Sequence, residues 1–162
     1  MNTLHQSPSF PHSRTRRDPF EAKYGAPLPL GLRDEAAGMS WDMFDQMYAP
    51  RRGRYRLLDW RLHHLGSGKA VFEAMLSVDG AAHSSTAVAS GPIAAITGML
   101  YELGCNIEII GLHQRKIGDR TATFLHAERD EQRAWSMAIA ADPVASSLHA
   151  IVAAANRLAP QA

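Results

Sequence analysis

The sequence predicts an α+β domain in which two βββα units, related by a pseudo-two-fold axis, follow a short helical linker segment. Three observations predict it. Runs of alternating apolar residues indicate strands, and Asp79-Gly80 is a strong signal for a tight turn between two of them. A strand runs into a proline-started helix at Pro92 and again at Pro143, 51 positions downstream. This spacing indicates one structural unit present twice.

The bulk composition fits one ordinary globular domain. The chain has 162 residues, of which 46% are apolar and 20% are charged. A formal net charge of +1 gives no basic field for nucleic acid, and no apolar run is long enough to span a membrane. A single cysteine, Cys105, excludes an internal disulfide. We therefore expect a cytoplasmic protein with no nucleic-acid or membrane partner.

Two segments precede the regular part of the chain. Residues 1–24 contain several prolines, serines and arginines, which favour a flexible basic tail. Residues 25–54 form the linker-like segment, with one short helix expected around 32–37 and another at 41–48, which Ser40 can cap. Aromatic residues at i, i+3 and i+7 give the second helix one aromatic face. That face docks either on this chain's own sheet or on a partner protein.

Residues 55–162 form the predicted regular domain, and its first repeat covers residues 55–104. Three strands are expected at 55–63, 71–78 and 82–89, and a helix follows Pro92. The alternation places Leu58, Trp60 and Leu62 on one face of the first strand. The helix has an apolar stripe and closes at Gly104.

The second repeat covers residues 105–158 and has the same order of elements. Alternation of Cys105, Ile107 and Ile109 predicts its first strand, with Cys105 in the core. Strands at 121–128 and around 135–139 follow. The last helix begins at Asp142 or Pro143 and carries an apolar stripe to residue 158.

The sequence offers no catalytic or metal-binding pattern. Its eight histidines form no HExxH motif and no Cys/His quartet. Ser84-Ser85-Thr86 has no recognisable general base at a fixed spacing. Gly66-Ser67-Gly68-Lys69 joins two strands, whereas a phosphate loop joins a strand to a helix. We therefore expect no catalytic residue, no metal and no cofactor.

The strand-to-helix junction at Ser90-Gly91-Pro92 is the strongest candidate site. Free backbone N–H groups after the proline, with the helix dipole behind them, suit a small anion. Ile109, Leu112 and Ile139 become apolar neighbours if the two repeats pack around the pseudo-two-fold axis. The junction then suits a carboxylate ligand with a branched apolar side chain. The alternative is a well-capped helix with no ligand.

Several motifs occur together in an order that resembles a known family. They are the Gly-Pro-aliphatic-Ala-Ala run at 91–95, Leu103-Gly104 with the following strand, the strand at 135–140, and the closing run at 147–157. Residues 55–158 are similar to the C-terminal regulatory and dimerisation domain of 2-isopropylmalate synthase. Upstream, residues 28–35 and 40–50 resemble the linker subdomain of that family, so the resemblance covers residues 25–158.

The resemblance implies a leucine site formed by the two βββα units at a homodimer interface. The family's catalytic part is a TIM barrel with a divalent metal, which 162 residues cannot hold. We therefore expect a free-standing regulatory module of leucine biosynthesis that acts on a separate barrel subunit and does not condense acetyl-CoA with 2-oxoisovalerate alone. Carried over by position, its leucine contacts are Gly91, Pro92, Ile93, Ala94, Ile109, Leu112, Ile139 and Ala141.

Three places depart from the family pattern. Ala89-Ser90 stands where the family has Gly-Asn, Gly111-Leu112 stands where it has Asp-Tyr, and Lys116 replaces a small residue. The ligand is therefore leucine, another branched or carboxylated molecule, or none. Without a ligand the chain is a structural protein that dimerises and docks a barrel enzyme. A further alternative is the non-catalytic subunit of a split acyltransferase.

Overall fold

The computed structural model describes residues 17–160 and has the predicted α+β architecture, with two βββα units after an N-terminal group of helices. The first repeat contains one three-stranded antiparallel sheet, the second repeat contains another, and each sheet is followed by a helix. The elements are α1 (Pro19–Tyr24), α2 (Leu30–Ala36), α3 (Trp41–Tyr48), β1 (Tyr55–Leu65), β2 (Lys69–Val78), β3 (Ala81–Ala89), α4 (Pro92–Glu102), β4 (Glu108–Ile117), β5 (Arg120–Arg129), β6 (Gln132–Ala140) and α5 (Pro143–Arg157).

The 51-residue spacing recurs in the turns as well as in the helix starts. In each sheet a two-residue turn joins the second strand to the third, at Asp79-Gly80 and at Asp130-Glu131. All four residues have positive φ, with values of 51° and 86° in the first turn and 51° and 65° in the second. Such turns match the twist of the strands that they connect. Glycine adopts this backbone freely, whereas Glu131 adopts it at a steric cost.

A bulge interrupts the first strand of each sheet. The register shifts between Leu57 and Asp59 in β1 and between Ile109 and Gly111 in β4. The prediction that Leu58 shares a face with Trp60 and Leu62 was wrong: Leu58 is 45% exposed, and Leu57 packs against the core with the other two. The extra residue of a bulge reverses the faces on one side of it, which alternation alone does not reveal.

Two residues before β4, Cys105 and Ile107, are buried without belonging to a strand. The expected strand through Cys105 and Ile107 begins only at Glu108. Cys105 is nevertheless fully buried, as predicted, and burial raises the pKa of its thiol. The backbone N–H of Cys105 donates to the carbonyl of Leu100, which closes the end of α4 and turns the chain towards the second sheet.

One core cluster lies where the inner faces of both sheets meet α4 and α5. It is built from aliphatic and small residues together with the buried aromatic rings of Tyr55 from β1 and Phe72 from β2. Its fully buried members include Phe72, Ile96, Leu100, Leu125, Leu148 and Ile151. The stripe predicted for α5 packs here, since Leu148, Ile151 and Ala155 are all buried.

A second core cluster covers the outer face of the second sheet with the N-terminal helices. Phe20 of α1 is fully buried, and its ring meets that of Phe124 edge-to-face with centroids 5.0 Å apart. The Asp18 carboxylate accepts hydrogen bonds from the N–H groups of Phe20, at 2.9 Å, and Leu28, at 2.8 Å. The expectation of a flexible tail up to residue 24 was therefore wrong for residues 17–24. Residues 1–16 lie outside the described part of the chain.

The aromatic face of α3 docks on this chain. Trp41, Phe44 and Tyr48 all belong to or pack against the second cluster, while α2 begins two residues earlier than expected, at Leu30. The Tyr48 hydroxyl donates to Oε1 of Glu35 at 2.9 Å. Burial, together with this hydrogen bond, raises the pKa of Tyr48 to about 12. Between residues 17 and 160, no helix is long and apolar enough to cross a membrane.

Candidate functional site

The start of α4 is capped by backbone alone. Gly91 is the N-cap, with extended φ and ψ of −173° and 174°, and no side chain bonds to the first turn. The first intrahelical bond runs from the N–H of Ala95 to the carbonyl of Gly91 at 3.2 Å. The N–H groups of Ile93 and Ala94 precede it and have no side-chain acceptor. A Cβ built on Gly91 would meet no atom within 4 Å, so the space beside this turn is open.

The start of α5 is closed by the chain's own side chains. Asp142 is the N-cap, and its carboxylate accepts from the N–H of Ala145 at 2.8 Å. An anionic side chain therefore already occupies the place that a ligand's carboxylate would take. The two helix starts share a Pro at the first position and differ in what satisfies their backbone donors.

A network of polar side chains holds the α5 start against the second sheet. The Gln114 amide donates to Thr123 Oγ1 at 3.0 Å, to Ser147 Oγ at 2.9 Å and to the Pro143 carbonyl at 3.0 Å. The hydroxyls of Thr123 and Ser146 lie 2.6 Å apart. Thr123 and Ser146 are fully buried, so this network fixes the helix in one position.

The first repeat has no such network. Positions 51 residues before Thr123, Ser146 and Ser147 hold Phe72, Ala95 and Ile96. All three of these counterparts are buried in the first core cluster. Apolar packing therefore holds α4 in place, and no side chain accepts from the backbone donors at its start.

The candidate residues divide between the two core clusters and the exposed surface. Ile93, Ile109 and Leu112 are half-buried and pack against the first core cluster, and Gly91 and Pro92 are half-buried as well. Ala94 and Ala141 are exposed. Ile139 instead packs against the second cluster, on the face that the N-terminal helices cover. Within one chain, Ile139 thus packs against a different cluster from Ile93, Ile109 and Leu112.

Sequence reasoning missed a cleft between the N-terminal helices and the second repeat. It has a volume of about 740 Å³ and is lined by residues from α1, α3, β1, β5, β6 and α5. We call it the basic cleft, because Lys23, Arg51, Arg56, Arg120 and His149 line it. These residues lie far apart in the sequence and form no motif, so only the packing of the N-terminal helices reveals their proximity. No cluster of three or more metal-ligating side chains occurs in residues 17–160.

The chain is similar to one family of known domains. The family model for the LeuA allosteric (dimerisation) domain matches residues 37–159. Among curated proteins, the 2-isopropylmalate synthase of Pseudarthrobacter chlorophenolicus is 28% identical over 127 residues, which cover 72% of this chain and 22% of that protein. The 2-isopropylmalate synthase of Parafrankia sp. is 27% identical over 129 residues, which cover 75% of this chain and 23% of that protein.

The match thus spans less than a quarter of the length of these curated relatives. On this chain it includes both βββα repeats and the α3 helix that docks on the second sheet. The matched region covers most of the chain, and its architecture is the one that the resemblance implies. The chain belongs to the LeuA allosteric (dimerisation) domain family and is a regulatory and dimerisation module of the 2-isopropylmalate synthase type.

Proposed function

We propose that this module binds leucine or a related branched-chain amino acid and passes the signal to a barrel-type 2-isopropylmalate synthase subunit in cytoplasmic leucine biosynthesis. The observation that carries the proposal is the open start of α4. Gly91 caps the helix without a side chain, and the donors of Ile93 and Ala94 precede the first intrahelical bond. The family and the names of its relatives support leucine as the first ligand to test.

The proposed binding mode uses the two kinds of group at this junction. The ligand's carboxylate accepts hydrogen bonds from the Ile93 and Ala94 N–H groups, where the helix dipole favours negative charge. Its branched side chain packs against Ile109 and Leu112, which are half-buried at the edge of the first core cluster. Half-buried apolar residues gain further burial when a ligand covers them. Ile139 and Ala141 would join this site only through the homodimer partner.

Regulation follows if the dimer has two arrangements that hold the ligand with different affinity. The ligand then shifts the dimer towards the arrangement that it binds better, and a docked catalytic subunit responds to that shift. The α3 helix and residues 25–54 are the proposed link to the catalytic subunit, because they pack directly on the second sheet.

Calorimetric titration of the purified protein tests the sensing step. We expect saturable binding of L-leucine at millimolar or lower concentration, and weaker binding by Gly91→Asp, whose carboxylate would cap the helix as Asp142 caps α5. Asp142→Asn serves as the matched control and is expected to bind as the wild type does. No saturable heat with leucine, isoleucine or valine would rule out sensing of branched-chain amino acids.

A second candidate function is structural docking without a ligand. The packing of Ile139 against the second core cluster favours it, since this residue then already has packing partners within one chain. In that case the dimer binds a synthase-type barrel equally with and without leucine. Activity assays of a barrel subunit, alone and mixed with this protein, test whether the barrel needs this chain as the non-catalytic subunit of a split acyltransferase. The same assays with and without leucine separate structural docking from leucine regulation.

A further inference from the structure

The basic cleft is built by the packing of two parts of the chain. One wall comes from α1, α3 and the segment that follows α3, and the other comes from β1, β6 and α5. Its volume of about 740 Å³ lies within the range of small-molecule sites, about 300–1,000 Å³. Its position separates it from the start of α4, none of whose residues line it.

Positive charge is concentrated in the cleft. Four cationic side chains line it, Lys23, Arg51, Arg56 and Arg120, against the single carboxylate of Asp45. The whole chain carries a net charge of only +1. Asp45 pairs with Arg51 at 3.5 Å, so the charges of the other three cations have no carboxylate partner among the residues of this cleft. Such an arrangement attracts an anion with more than one charge.

Aromatic and apolar groups lie beside these charges. The Lys23 ammonium stands 4.6 Å from the centroid of the Trp41 ring, which is half-buried. Ile139 and Leu57, also half-buried, contribute apolar surface to the lining. The cleft therefore offers cations for a charged group and a separate apolar surface for an organic body.

The frame of the cleft is held by hydrogen bonds that do not use its cations. The side chain of Asn156 accepts from the N–H of Tyr55 at 2.8 Å and donates to the Tyr55 carbonyl at 2.9 Å. A Cβ on Gly53 would come within 2.4 Å of Asn156, so the chain entering β1 lies tightly against α5. A frame fixed before binding lowers the ordering cost of holding a ligand.

From these observations we propose that the basic cleft is a second effector site, which binds a phosphorylated metabolite of about nucleotide size. Arginine is suited to phosphate because its guanidinium presents several donors in a plane, and lysine adds a compact charge. Arg56 and Arg120 hold the phosphates, while the organic body rests against Trp41 and Ile139. The site lies between the N-terminal helices and the second repeat, so its occupant bridges the proposed link and the regulatory unit. This inference does not depend on leucine binding.

Nuclear magnetic resonance titration of the full chain tests the proposal, with ATP, inorganic pyrophosphate and citrate as probes. We expect ATP to shift backbone amides of β1, β6 and α5 that line the cleft and to leave those of residues 91–95 unchanged. Arg56→Ser with Arg120→Ser should weaken ATP binding about tenfold or more, because the phosphates lose charge-assisted hydrogen bonds from two guanidinium groups. Arg61→Ser with Lys69→Ser removes two exposed cations of the first sheet and is the matched control.

Each of the following outcomes either supports or overturns the proposal that the basic cleft binds a phosphorylated metabolite. Binding of both ATP and pyrophosphate supports recognition of the phosphates, and binding of ATP alone supports a contribution from the organic body. Equal affinity for citrate would overturn the assignment to phosphate. Shifts spread over the whole surface, or equal loss of affinity in the control pair, would overturn the site itself. Thermal unfolding of both double variants checks that each is folded before its affinity is interpreted.

Discussion

Matching positions on the outer faces of the two sheets carry opposite kinds of side chain, although the repeats share one topology and their second and third strands pair in the same register. In the second sheet Phe124 and Met137 are opposite each other, fully or almost fully buried under the N-terminal helices. Their counterparts 51 positions earlier, Glu73 and Thr86, are also opposite each other and are exposed. The same fold thus serves as a docking platform in one repeat and presents an open surface in the other.

The starts of α4 and α5 show the same difference between a covered second repeat and an open first repeat. Asp142 and the network around Gln114 and Thr123 close the start of α5, whereas Gly91 leaves the start of α4 without a side-chain cap. In the second repeat the helix start is held by its own side chains, and the first repeat carries the proposed ligand site. The two repeats should therefore respond differently to the same kind of substitution.

The largest difference is expected at the outer faces of the sheets. Phe124→Ala should lower the free energy of unfolding by about 3–5 kcal/mol, because it leaves a cavity in the second core cluster. Glu73→Ala, at the counterpart position, should change it by less than about 0.5 kcal/mol, since the side chain is exposed. Urea unfolding followed by circular dichroism measures both. Similar losses for the two variants would show that the outer face of the first sheet is also covered, for example in the dimer.

The helix caps should give a smaller difference. Asp142→Ala removes the hydrogen bond to the Ala145 N–H and should cost about 1 kcal/mol. Gly91→Asp supplies such a cap to α4, and we expect a gain of a few tenths of a kcal/mol. Thermal unfolding at constant protein concentration measures both changes. A clear loss of stability in Gly91→Asp would mean that the space beside Gly91 is filled in solution.

The two tight turns allow a reciprocal exchange. Glu131 has φ of 65° where Gly80 has 86°. Glu131→Gly should stabilise the protein by roughly 0.5–1 kcal/mol. A left-handed backbone costs a non-glycine residue about 1–2 kcal/mol, and the larger conformational entropy that glycine loses on folding offsets part of the gain from removing that cost. Gly80→Glu should destabilise it by a similar amount. Denaturant midpoints of the two variants measure both changes. Midpoints that shift in the same direction in both variants would argue against structurally equivalent turns.

The burial of Tyr48 of α3 and its hydrogen bond to Glu35 should make the free energy of unfolding depend on pH. The folded protein raises the pKa of Tyr48 to about 12 from its ordinary value of 10.0. The contribution of Tyr48 to the free energy of unfolding is fully present below pH 10 and is lost as the pH rises from 10 to 12. The reason is that the Tyr48 hydroxyl loses its proton at a lower pH in the unfolded chain than in the folded protein. Across that range Tyr48→Phe should lose less stability than the wild type. Parallel curves for the two proteins would contradict the raised pKa.

The sequence was sufficient to predict the two βββα units, because alternation, tight-turn residues and helix-starting prolines are local signals. It was misleading at Leu58, where a bulge reverses the faces, and at Phe20, whose burial depends on a sheet more than one hundred residues away in the chain. The basic cleft could not be predicted, since Lys23, Arg120 and His149 meet only after the N-terminal helices have packed on the second sheet. The candidate site at Gly91 was predictable as a helix start, but the contrast with the closed start at Asp142 required the side-chain positions.

The most direct test of this contrast is a nuclear magnetic resonance titration with L-leucine that compares the two helix starts in one sample. We predict that the largest shifts fall on the amides of Ile93 and Ala94, that those of Val144 and Ala145 stay unchanged, and that Gly91→Asp abolishes the shifts. Shifts centred on Val144 and Ala145, or no shifts at either helix start at millimolar leucine, would contradict the assignment of the ligand site to the first repeat.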